Sequence, residues 1–512
     1  MNVAFRVDAA PEIGSGHLRR CLCLADALRA RGAHTRVVSR GLPPHLRALC
    51  DAGGHEVREL HEADGPGSGA DIEPAAGGPA HARWLGTSQG ADAAATRAVL
   101  AGASWDWLVV DHYGLDARWE SALRPAAGRI LAIDDLADRA HDCDVLLDQN
   151  LHVEPEARYA GKVPEASRLL LGPRFALLRP EFARARARVA ERTGPVQRVL
   201  VAFGGADAAN HTTAALQALA AAAGSTRPAV DVVVPAGHPH VAAIDAACRR
   251  DGFDCHVQSD RMADLMAAAD VSVGAAGTML WERCSVGLPA LALAVAANQV
   301  AGLAAAARGG LVYAPDAGGD AAATIGRHLP ALLQNAALRE LISTRGMEAV
   351  DGRGVDRVIG RLGVDAIDIR AAAGSDAANL LAWRNHESVR RAAWQSAPIA
   401  PADHDTWLRS VLADPDRVLV IGERAGRPVG VVRFDIAAGS AEVSIHRVPD
   451  AAGPGLGGAL LAAAEAWLLA RRPDVGRFTA SVRPENVRSH ALFRAAGYRT
   501  AEVRYEKPVV RR

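Results

Sequence analysis

The first twenty residues place an ionisable histidine directly behind a glycine-containing turn. Asn2 to Val7 predict a buried strand, Gly14 and Gly16 bracket a turn, and a helix begins at His17. Glycines between a strand and a helix let backbone N–H groups approach an anion, and a helix N-terminus favours negative charge. An imidazole at this place can also take up a proton near neutral pH. The segment therefore predicts either a phosphate-binding turn with a capping histidine or a catalytic histidine.

Polar side chains also follow three later predicted strands of the N-terminal part. In chain order they are Asp111-His112-Tyr113-Gly114, Asp134-Asp135 and Asp148-Gln149-Asn150. Because parallel strands end at a common edge of their sheet, these side chains and His17 predict a shared cleft. Asp111 and His112 are consecutive and point to opposite sides of an extended segment, so they are not expected to bond each other. Asp111 is free to orient His17, although capping of the next helix explains it equally well.

A second glycine-containing turn lies further along the chain. The predicted strand Val271 to Val273 leads through Gly277 and Thr278 into a helix. Small residues, a hydroxyl group and a helix N-terminus together predict a diphosphate site. Glu282, four residues beyond Thr278, suits the two hydroxyls of a ribose, unless it only stabilises the helix dipole. Further candidates at predicted strand ends and helix starts are Gly204-Gly205 and Asn298-Gln299.

Length and element order predict an α/β protein of three domains. The chain has 512 residues, of which 49% are hydrophobic, and this is too long for one core. Strands alternate with helices through most of the chain, which is typical of parallel sheets, and the order changes after residue 363. We therefore predict domains at residues 1–175, 176–362 and 363–512. Near the boundaries, Arg174 to Arg192 and Leu338 to Leu362 each predict a helix.

Charge and composition restrict the class of partner. Lys and Arg number 58, as do Asp and Glu, so no net field attracts nucleic acid or an acidic membrane. The chain has no apolar run of membrane length, and its start does not resemble a signal peptide. Its seven cysteines are odd in number and scattered, which indicates reduced thiols. We expect a cytoplasmic protein without nucleic-acid or membrane partners.

The first 320 residues resemble the UDP-sugar hydrolases of pseudaminic acid biosynthesis. The shared motifs, in chain order, are Arg6-x-Asp8, Ile13-Gly14-x-Gly16-His17-x-x-Arg20-Cys21, Asp111-His112-Tyr113-Gly114, Asp134-Asp135, Phe203-Gly204-Gly205-x-Asp207, Trp281-Glu282-Arg283-Cys284, Gly287-Leu288-Pro289 and Asn298-Gln299. The resemblance implies two Rossmann-like domains in the arrangement of GT-B glycosyltransferases, with the ligand between them. It also implies removal of UDP from UDP-2,4-diacetamido-2,4,6-trideoxy-β-L-altropyranose, with water as the acceptor.

The resemblance assigns a role to each candidate. His17 would be the general base for the attacking water, with Asp111 and Asp8 as its orienting neighbours. Glu282 would bind the uridine ribose, and Gly277 and Thr278 the diphosphate. Attack with inversion needs no covalent intermediate, and backbone N–H groups can stabilise the leaving diphosphate, so no metal is expected. The remaining substrate-binding candidates are Gly14, Gly16, His112, Tyr113, Gly205, Asn298 and Gln299.

The last 150 residues contain a third glycine loop between a strand and a helix. This part resembles the GCN5-related N-acetyltransferases (GNAT), which implies a mixed-sheet α+β domain and acetyl-CoA as co-substrate. The residues that would hold the cofactor are Gly453, Gly455, Gly457, Gly458, Asn486 and Ser489. Asn385-x-x-x-Val389-Arg390 and His404-x-x-Trp407 further resemble acetyltransferases that act on UDP-4-amino sugars of the same pathway.

The tail departs from the acetyltransferase pattern at two positions. Ala452 begins the glycine loop, where Arg or Gln is usual, and Phe493 replaces the tyrosine that often protonates the leaving thiolate. The general acid is therefore unassigned, with Tyr498 and Tyr505 as candidates. His446, on the strand before the loop, is either a base for the amine or a hydrogen-bonded histidine of the sheet.

Together the parts predict a bifunctional enzyme. The tail would acetylate the 4-amino group of a UDP-linked sugar, and the front would hydrolyse the product to free sugar and UDP. Three alternatives remain: a UDP-sugar glycosyltransferase fused to an acetyltransferase, a non-catalytic UDP-sugar-binding module fused to a protein acetyltransferase, and the same two reactions on a legionaminic-type isomer.

Overall fold

The computed structural model divides the chain into two compact units, Met1–Leu362 and Gly363–Arg512. It describes residues 1–10, 13–60, 79–189, 192, 194–204, 207, 209–221, 228–315, 320–363, 367–424, 426–449, 451 and 456–501. No helix in these ranges is long and apolar enough to cross a membrane. All seven cysteines lie within them as free thiols, and only Cys255 is partly exposed.

The first unit begins with a seven-stranded parallel sheet in the order β3-β2-β1-β4-β5-β6-β7. Its strands are β1 (Asn2–Val7), β2 (His34–Ser39), β3 (Glu56–Glu59), β4 (Trp105–Asp111), β5 (Ala127–Ile133), β6 (Val145–Asp148) and β7 (Arg168–Leu171). The accompanying helices are α1 (Gly16–Arg29), α2 (Pro44–Ala52), α3 (Gln89–Leu100), α4 (Ala117–Leu123), α5 (Pro155–Arg158) and α6 (Pro180–Arg186). The central strands β1 and β4 are buried almost throughout, as expected when helices cover both faces of a parallel sheet.

A second parallel sheet follows in the same unit, in the order β10-β9-β8-β11-β12. Its strands are β8 (Arg198–Ala202), β9 (Ala229–Val234), β10 (Asp254–Val257), β11 (Val271–Ala275) and β12 (Ala290–Leu293). Its helices are α7 (His211–Ala221), α8 (Val241–Asp251), α9 (Met262–Ala268), α10 (Thr278–Ser285), α11 (Val300–Arg308), α12 (Ala321–Gln334), α13 (Ala336–Ala349) and α14 (Gly354–Leu362).

Two helices predicted near the domain boundaries differ from the structure. Instead of one helix from Arg174 to Arg192, the chain forms a short 3-10 turn and then only α6, which begins at Pro180. Arg179 is extended because a proline disfavours the helical conformation in the residue before it. The predicted helix Leu338 to Leu362 is split into α13 and α14, and Gly352 in the break has a positive φ of 78°.

The second unit contains a five-stranded mixed sheet in the order β13-β14-β15-β16-β17. Its strands are β13 (Asp368–Ala371), β14 (Arg417–Arg424), β15 (Arg427–Ala437), β16 (Ser440–Arg447) and β17 (Arg477–Thr479). Its helices are α15 (Ala377–Asn385), α16 (Glu387–Arg390), α17 (Pro401–Ala413), α18 (Leu456–Leu469) and α19 (Val487–Ala495). Neighbouring strands are antiparallel except β16 and β17, which run parallel.

The predicted fold class, two Rossmann-like sheets followed by a mixed-sheet α+β unit, is confirmed by these topologies. The two parallel sheets approach each other through the loops at their strand ends. Thr278 Oγ1, at the start of α10, lies 4.0 Å from the position that a Cβ atom would occupy on Gly16, at the start of α1. Asn150 Oδ1, after β6, accepts a hydrogen bond of 3.0 Å from Trp281 Nε1 on α10. The strand-end loops of both sheets therefore line one cleft.

Candidate functional site

His17 lies in the first turn of α1, beside the strand-end residues that follow β4. Its Nδ1 atom is 3.4 Å from Asp111 Oδ1, and its ring contacts the Tyr113 ring edge-on with 4.5 Å between centroids. Among the described residues neither ring nitrogen forms a hydrogen bond, and Nδ1 is buried without one, so the approach to Asp111 is a close contact only. The neutral tautomer with its proton on Nδ1, on the Asp111 side, leaves Nε2 able to accept a proton.

Electrostatics around His17 favour the neutral imidazole. Burial lowers the pKa of His17 below its ordinary value, and the charge of Arg20 acts in the same direction, against the attraction of Asp111. Burial alone would raise the pKa of Asp111, but the charges of Arg20 and His17 and the hydrogen bonds from Arg20 and Cys21 together hold it below its usual range. At neutral pH the site therefore contains a carboxylate and an uncharged imidazole, which is the pairing that a general base requires.

Arg20 fixes the carboxylate that faces His17. Its Nε and Nη2 atoms donate to the two oxygens of Asp111 at 2.6 and 2.7 Å, and its Nη1 donates to Asp135 Oδ2 at 3.0 Å. Asp135 also accepts from the hydroxyl of Tyr113 and from Asn150 Nδ2. Such a bidentate guanidinium leaves the Asp111 carboxylate no freedom to rotate. In the sequence Arg20 is only one residue of a shared motif. That it joins Asp111 to Asp135 is visible only in the structure.

Asp8 is placed differently from the prediction that it orients His17. Both of its oxygens are bonded by Arg6, and it also accepts from Ser39 Oγ at 3.0 Å. The imidazole beside it is His112, whose Nε2 lies 3.3 Å from Asp8 Oδ2. His112 Nδ1 accepts from the Gly114 backbone N–H at 3.0 Å, so the proton of a neutral His112 is on Nε2. Asp8 thus lies beside His112, and Asp111 is the carboxylate beside His17.

The candidate diphosphate residues lie across the cleft, at the carboxyl end of β11. Gly277 has a φ of 90°, which favours glycine, and Thr278 begins α10. The Gln299 side chain is 3.4 Å from where a Cβ of Gly277 would be, and its Oε1 accepts from Val295 N. Asn298 lies in the same 3-10 turn and is exposed. Gly205 lies outside the described residues. Of these candidates, Thr278 is the one whose side chain approaches the first sheet's loops, at Gly16.

Glu282 is the largely buried carboxylate of this side of the cleft. Burial raises its pKa, against the charge of Arg179, whose Nη2 is 3.7 Å from Glu282 Oε1. The charge of Arg19, in α1 of the first sheet, also acts on Glu282. Glu282 therefore lies where both halves of the unit meet. It is in the second turn of α10, beyond the first turn in which a carboxylate stabilises the helix dipole.

In the second unit, a gap opens between the two parallel strands. β17 pairs with β16 only at Ser440, Ala441 and Glu442, so the remainder of β16 has no partner on that side among the described residues. Asn486 caps α19 by accepting from the Ser489 backbone N–H at 3.1 Å. Gly457, in α18, lies against Leu492 of α19. The other described loop glycine, Gly458, faces open space, and Gly453 and Gly455 lie outside the described residues.

The surroundings of Tyr498 and His446 bear on whether they can act as the acid and the base of this unit. The Tyr498 hydroxyl donates to Glu465 Oε1 at 2.6 Å, and burial raises the pKa of Tyr498. Its ring packs on Phe493, and Tyr505 lies outside the described residues. Burial and then the charge of Arg384 lower the pKa of His446 to about 4. An imidazole with so low a pKa is a weak base for an amine, and the Nε2 of His446 is buried without a partner, so it is not a hydrogen-bonded histidine of the sheet either.

Comparison with known proteins identifies the second unit. Residues 367–499 match the family model of the acetyltransferase (GNAT) domain. The C-terminal unit is a GNAT domain. Among solved structures, AAC(6')-Ib in complex with paromomycin and acetyl-CoA is 23% identical. The match covers 26% of this chain and 81% of that chain, with a TM-score of 0.24.

The first unit is similar to a curated hydrolase. Over 183 residues it is 27% identical to the UDP-2,4-diacetamido-2,4,6-trideoxy-β-L-altropyranose hydrolase of Campylobacter jejuni. The match covers 36% of this chain and 53% of the hydrolase, so the chain spans about half the length of this relative. Among solved structures, MurG of Acinetobacter baumannii is 14% identical, with a TM-score of 0.46 over 70% of this chain and 99% of that one.

Proposed function

We propose that the first unit hydrolyses UDP-2,4-diacetamido-2,4,6-trideoxy-β-L-altropyranose to the free sugar and UDP. The observation that carries this proposal is the His17–Asp111 pair, with Nδ1 3.4 Å from the carboxylate and Nε2 without a protein partner among the described residues. Thr278 Oγ1, at the start of α10, lies 4.0 Å from the position of a Cβ atom on Gly16, the residue before His17. Similarity to the Campylobacter hydrolase supports the choice of substrate.

In this reaction water attacks the anomeric carbon while His17 Nε2 removes its proton. Asp111, fixed by Arg20, stabilises the imidazolium that forms. The C–O bond to UDP breaks on the opposite face of the sugar, so the configuration inverts and no covalent intermediate forms. Backbone N–H groups at Gly277 and Thr278 stabilise the departing diphosphate, and Glu282 binds the ribose hydroxyls. With these donors the reaction needs no metal, so we expect EDTA to leave the rate unchanged.

The GNAT domain supplies the preceding step in this scheme. It transfers the acetyl group of acetyl-CoA to the 4-amino group of the UDP-linked sugar, and CoA leaves as the thiol. Acetyl-CoA would enter the gap between β16 and β17, beside the glycines at the start of α18 and the capped N-terminus of α19. Two consecutive steps of pseudaminic acid biosynthesis, or of the pathway to an isomeric nonulosonic acid, would then share one chain.

Incubation of the full chain with the UDP-diacetamido sugar, without an acceptor, tests the hydrolase. We expect free sugar and UDP in equal amounts, with inversion visible by NMR. The variant His17→Asn should lose at least a hundredfold in kcat while its Kd for UDP, measured calorimetrically, is unchanged, since general-base catalysis contributes about 10²–10⁴-fold. UDP release only in the presence of a sugar acceptor would indicate a glycosyltransferase. Near-normal hydrolysis by His17→Asn would refute the assignment of the base.

A further inference from the structure

A loop of the GNAT domain, residues 391–399, is tied down by its backbone carbonyl groups. Side chains from three other places hold it, so it is ordered without a hydrophobic core of its own. The donor–acceptor pairs are Arg483 Nη1 to Ala393 O (3.0 Å), Arg384 Nη2 to Gln395 O (2.9 Å), Arg390 Nη1 to Ser396 O (2.9 Å) and Asn385 Nδ2 to Ile399 O (2.9 Å).

This loop presents an exposed tryptophan. Trp394 is 66% exposed, the largest exposed fraction of any tryptophan among the described residues, and it lies between two carbonyl groups that arginines hold. Because this indole packs on no hydrophobic core, its ring adds no free energy of burial to the stability of the fold. On a fixed loop it offers a flat surface on which another planar ring, such as a nucleobase, can stack.

Beside the loop lies positive charge without a carboxylate. Among the described residues, Arg384 and Arg390 donate only to backbone carbonyls. Other arginines of this unit are neutralised: Arg391 pairs with Glu387, and Arg370 pairs with Asp376. An uncompensated guanidinium pair at a partly buried place attracts an anion, above all a phosphate, which matches its planar donors.

Among the residues that the structure describes, two buried polar atoms of this cluster have no partner. They are Arg384 Nη1 and His446 Nε2, and the charge of Arg384 acts directly on His446. His446 lies on β16 beyond Glu442, where β17 no longer pairs. A buried donor without an acceptor costs free energy unless a ligand satisfies it. The unsatisfied atoms therefore indicate that something polar enters from the gap between the strands.

We infer that this cluster is the nucleotide subsite of the acetyl acceptor. Trp394 stacks on the base of a nucleoside diphosphate sugar, and the guanidinium of Arg384 binds its diphosphate. The amino group of the sugar then points toward the gap where the acyl donor lies. This inference rests on the proposed function of the GNAT domain, and it adds that the domain selects acceptors that carry an anionic nucleotide.

The test measures acetyl-CoA consumption by the full chain with two acceptors. One is the UDP-linked 4-amino-4,6-dideoxy sugar, and the other is the methyl glycoside of the same amino sugar. We expect Trp394→Ala and Arg384→Gln each to raise KM for the UDP-linked acceptor at least fivefold, because the first removes the ring on which the base stacks and the second removes the charge that binds the diphosphate. The KM for acetyl-CoA should not change, and the kcat/KM for the methyl glycoside should fall by a smaller factor than that for the UDP-linked acceptor.

Matched controls are Leu412→Ala and Arg409→Gln. Leu412 is 42% exposed, and Arg409 forms an exposed pair with Asp405, so both changes remove similar groups elsewhere on the domain. Equal losses with both acceptors, or a wild type that shows no preference for the UDP-linked sugar, would overturn the inference and leave the acetyltransferase activity standing. A wild type that acetylates neither sugar would overturn the proposed function together with the inference.

Discussion

The chemistry of His17 depends on which charges lie closest to it. Arg20 uses both oxygens of Asp111, so that carboxylate raises the pKa of His17 less than burial and Arg20 lower it. Hydrolysis requires the neutral imidazole, and activity is therefore lost as pH falls through its pKa. We predict that kcat/KM for the UDP-diacetamido sugar has an acid limb with a midpoint below the ordinary 6.5 of histidine. A limb centred above 6.5 would mean that Asp111 dominates instead.

For single residues, the sequence predicted which side chains lie at the candidate site better than it predicted which of them contact each other. The spacing of strand ends indicated that His17 and Asp111 share an edge, and the structure places them 3.4 Å apart. It could not show that Asp8 faces His112, because both aspartates follow central strands in the same way. Arg384 and Trp394 were not predicted at all, since a loop fixed through its carbonyls leaves no pattern in side-chain types.

A buried ion network joins strand β1 to helix α3. Arg6 on β1 is fully buried, and Asp92 on α3 accepts from its Nε at 3.0 Å and its Nη2 at 2.7 Å. Trp119 Nε1 donates to the same carboxylate at 2.9 Å. Without Asp92, the charge of Arg6 would have only Asp8 as an acidic partner among the described residues.

We predict that Asp92→Ala lowers the free energy of unfolding by about 3–5 kcal/mol, the usual cost of breaking a buried ion pair. Urea unfolding at pH 7, where the lowered pKa keeps this carboxylate ionised, would measure the loss. The control Asp405→Ala removes an exposed partner and should cost about 1 kcal/mol or less. Equal effects of the two substitutions would show that the network does not hold α3 to β1.

At one glycine of the second sheet, the backbone of the neighbouring strand leaves no room for a side chain. A Cβ on Gly274 would lie 2.0 Å from the carbonyl oxygen of Ala202 on the neighbouring strand β8. We predict that Gly274→Ala destabilises the protein by about 1–3 kcal/mol or more, as overpacking does. Gly326, inside α12, faces open space, so Gly326→Ala should stabilise by about 0.5–1 kcal/mol through helix propensity. Thermal unfolding of the two variants should shift in opposite directions, and parallel shifts would contradict this account.

At the scale of elements, periodicity predicted most helices and strands but not where prolines and glycines interrupt them. The basic run after Arg174 was predicted as one helix, yet Pro180 forces the residue before it to be extended. Likewise Gly352, with its positive φ, lies in the break between α13 and α14. The extended residue before α6 is Arg179, whose Nη2 lies 3.7 Å from Glu282 Oε1.

The two proposed reactions treat the nucleotide of the substrate in opposite ways. In the proposed hydrolysis, the first unit releases the diphosphate as His17 takes a proton from water. In the proposed acetylation, the GNAT domain would bind the same diphosphate through Arg384 and keep it on the sugar. The sequence indicated these two reactions through two separate resemblances, whereas the contacts of Arg384 with backbone carbonyls required the structure.

The two reactions should therefore be separable by single substitutions in the full chain. With the UDP-4-amino sugar and acetyl-CoA, the wild type should release UDP and free diacetamido sugar, and without acetyl-CoA it should release neither. His17→Asn should consume acetyl-CoA at the wild-type rate and accumulate one UDP-diacetamido sugar per CoA, because its GNAT domain is intact. Arg384→Gln should hydrolyse added UDP-diacetamido sugar normally but form it slowly. Mass spectrometry of the products decides the matter: if His17→Asn also stops consuming acetyl-CoA, the two units are not independent catalysts.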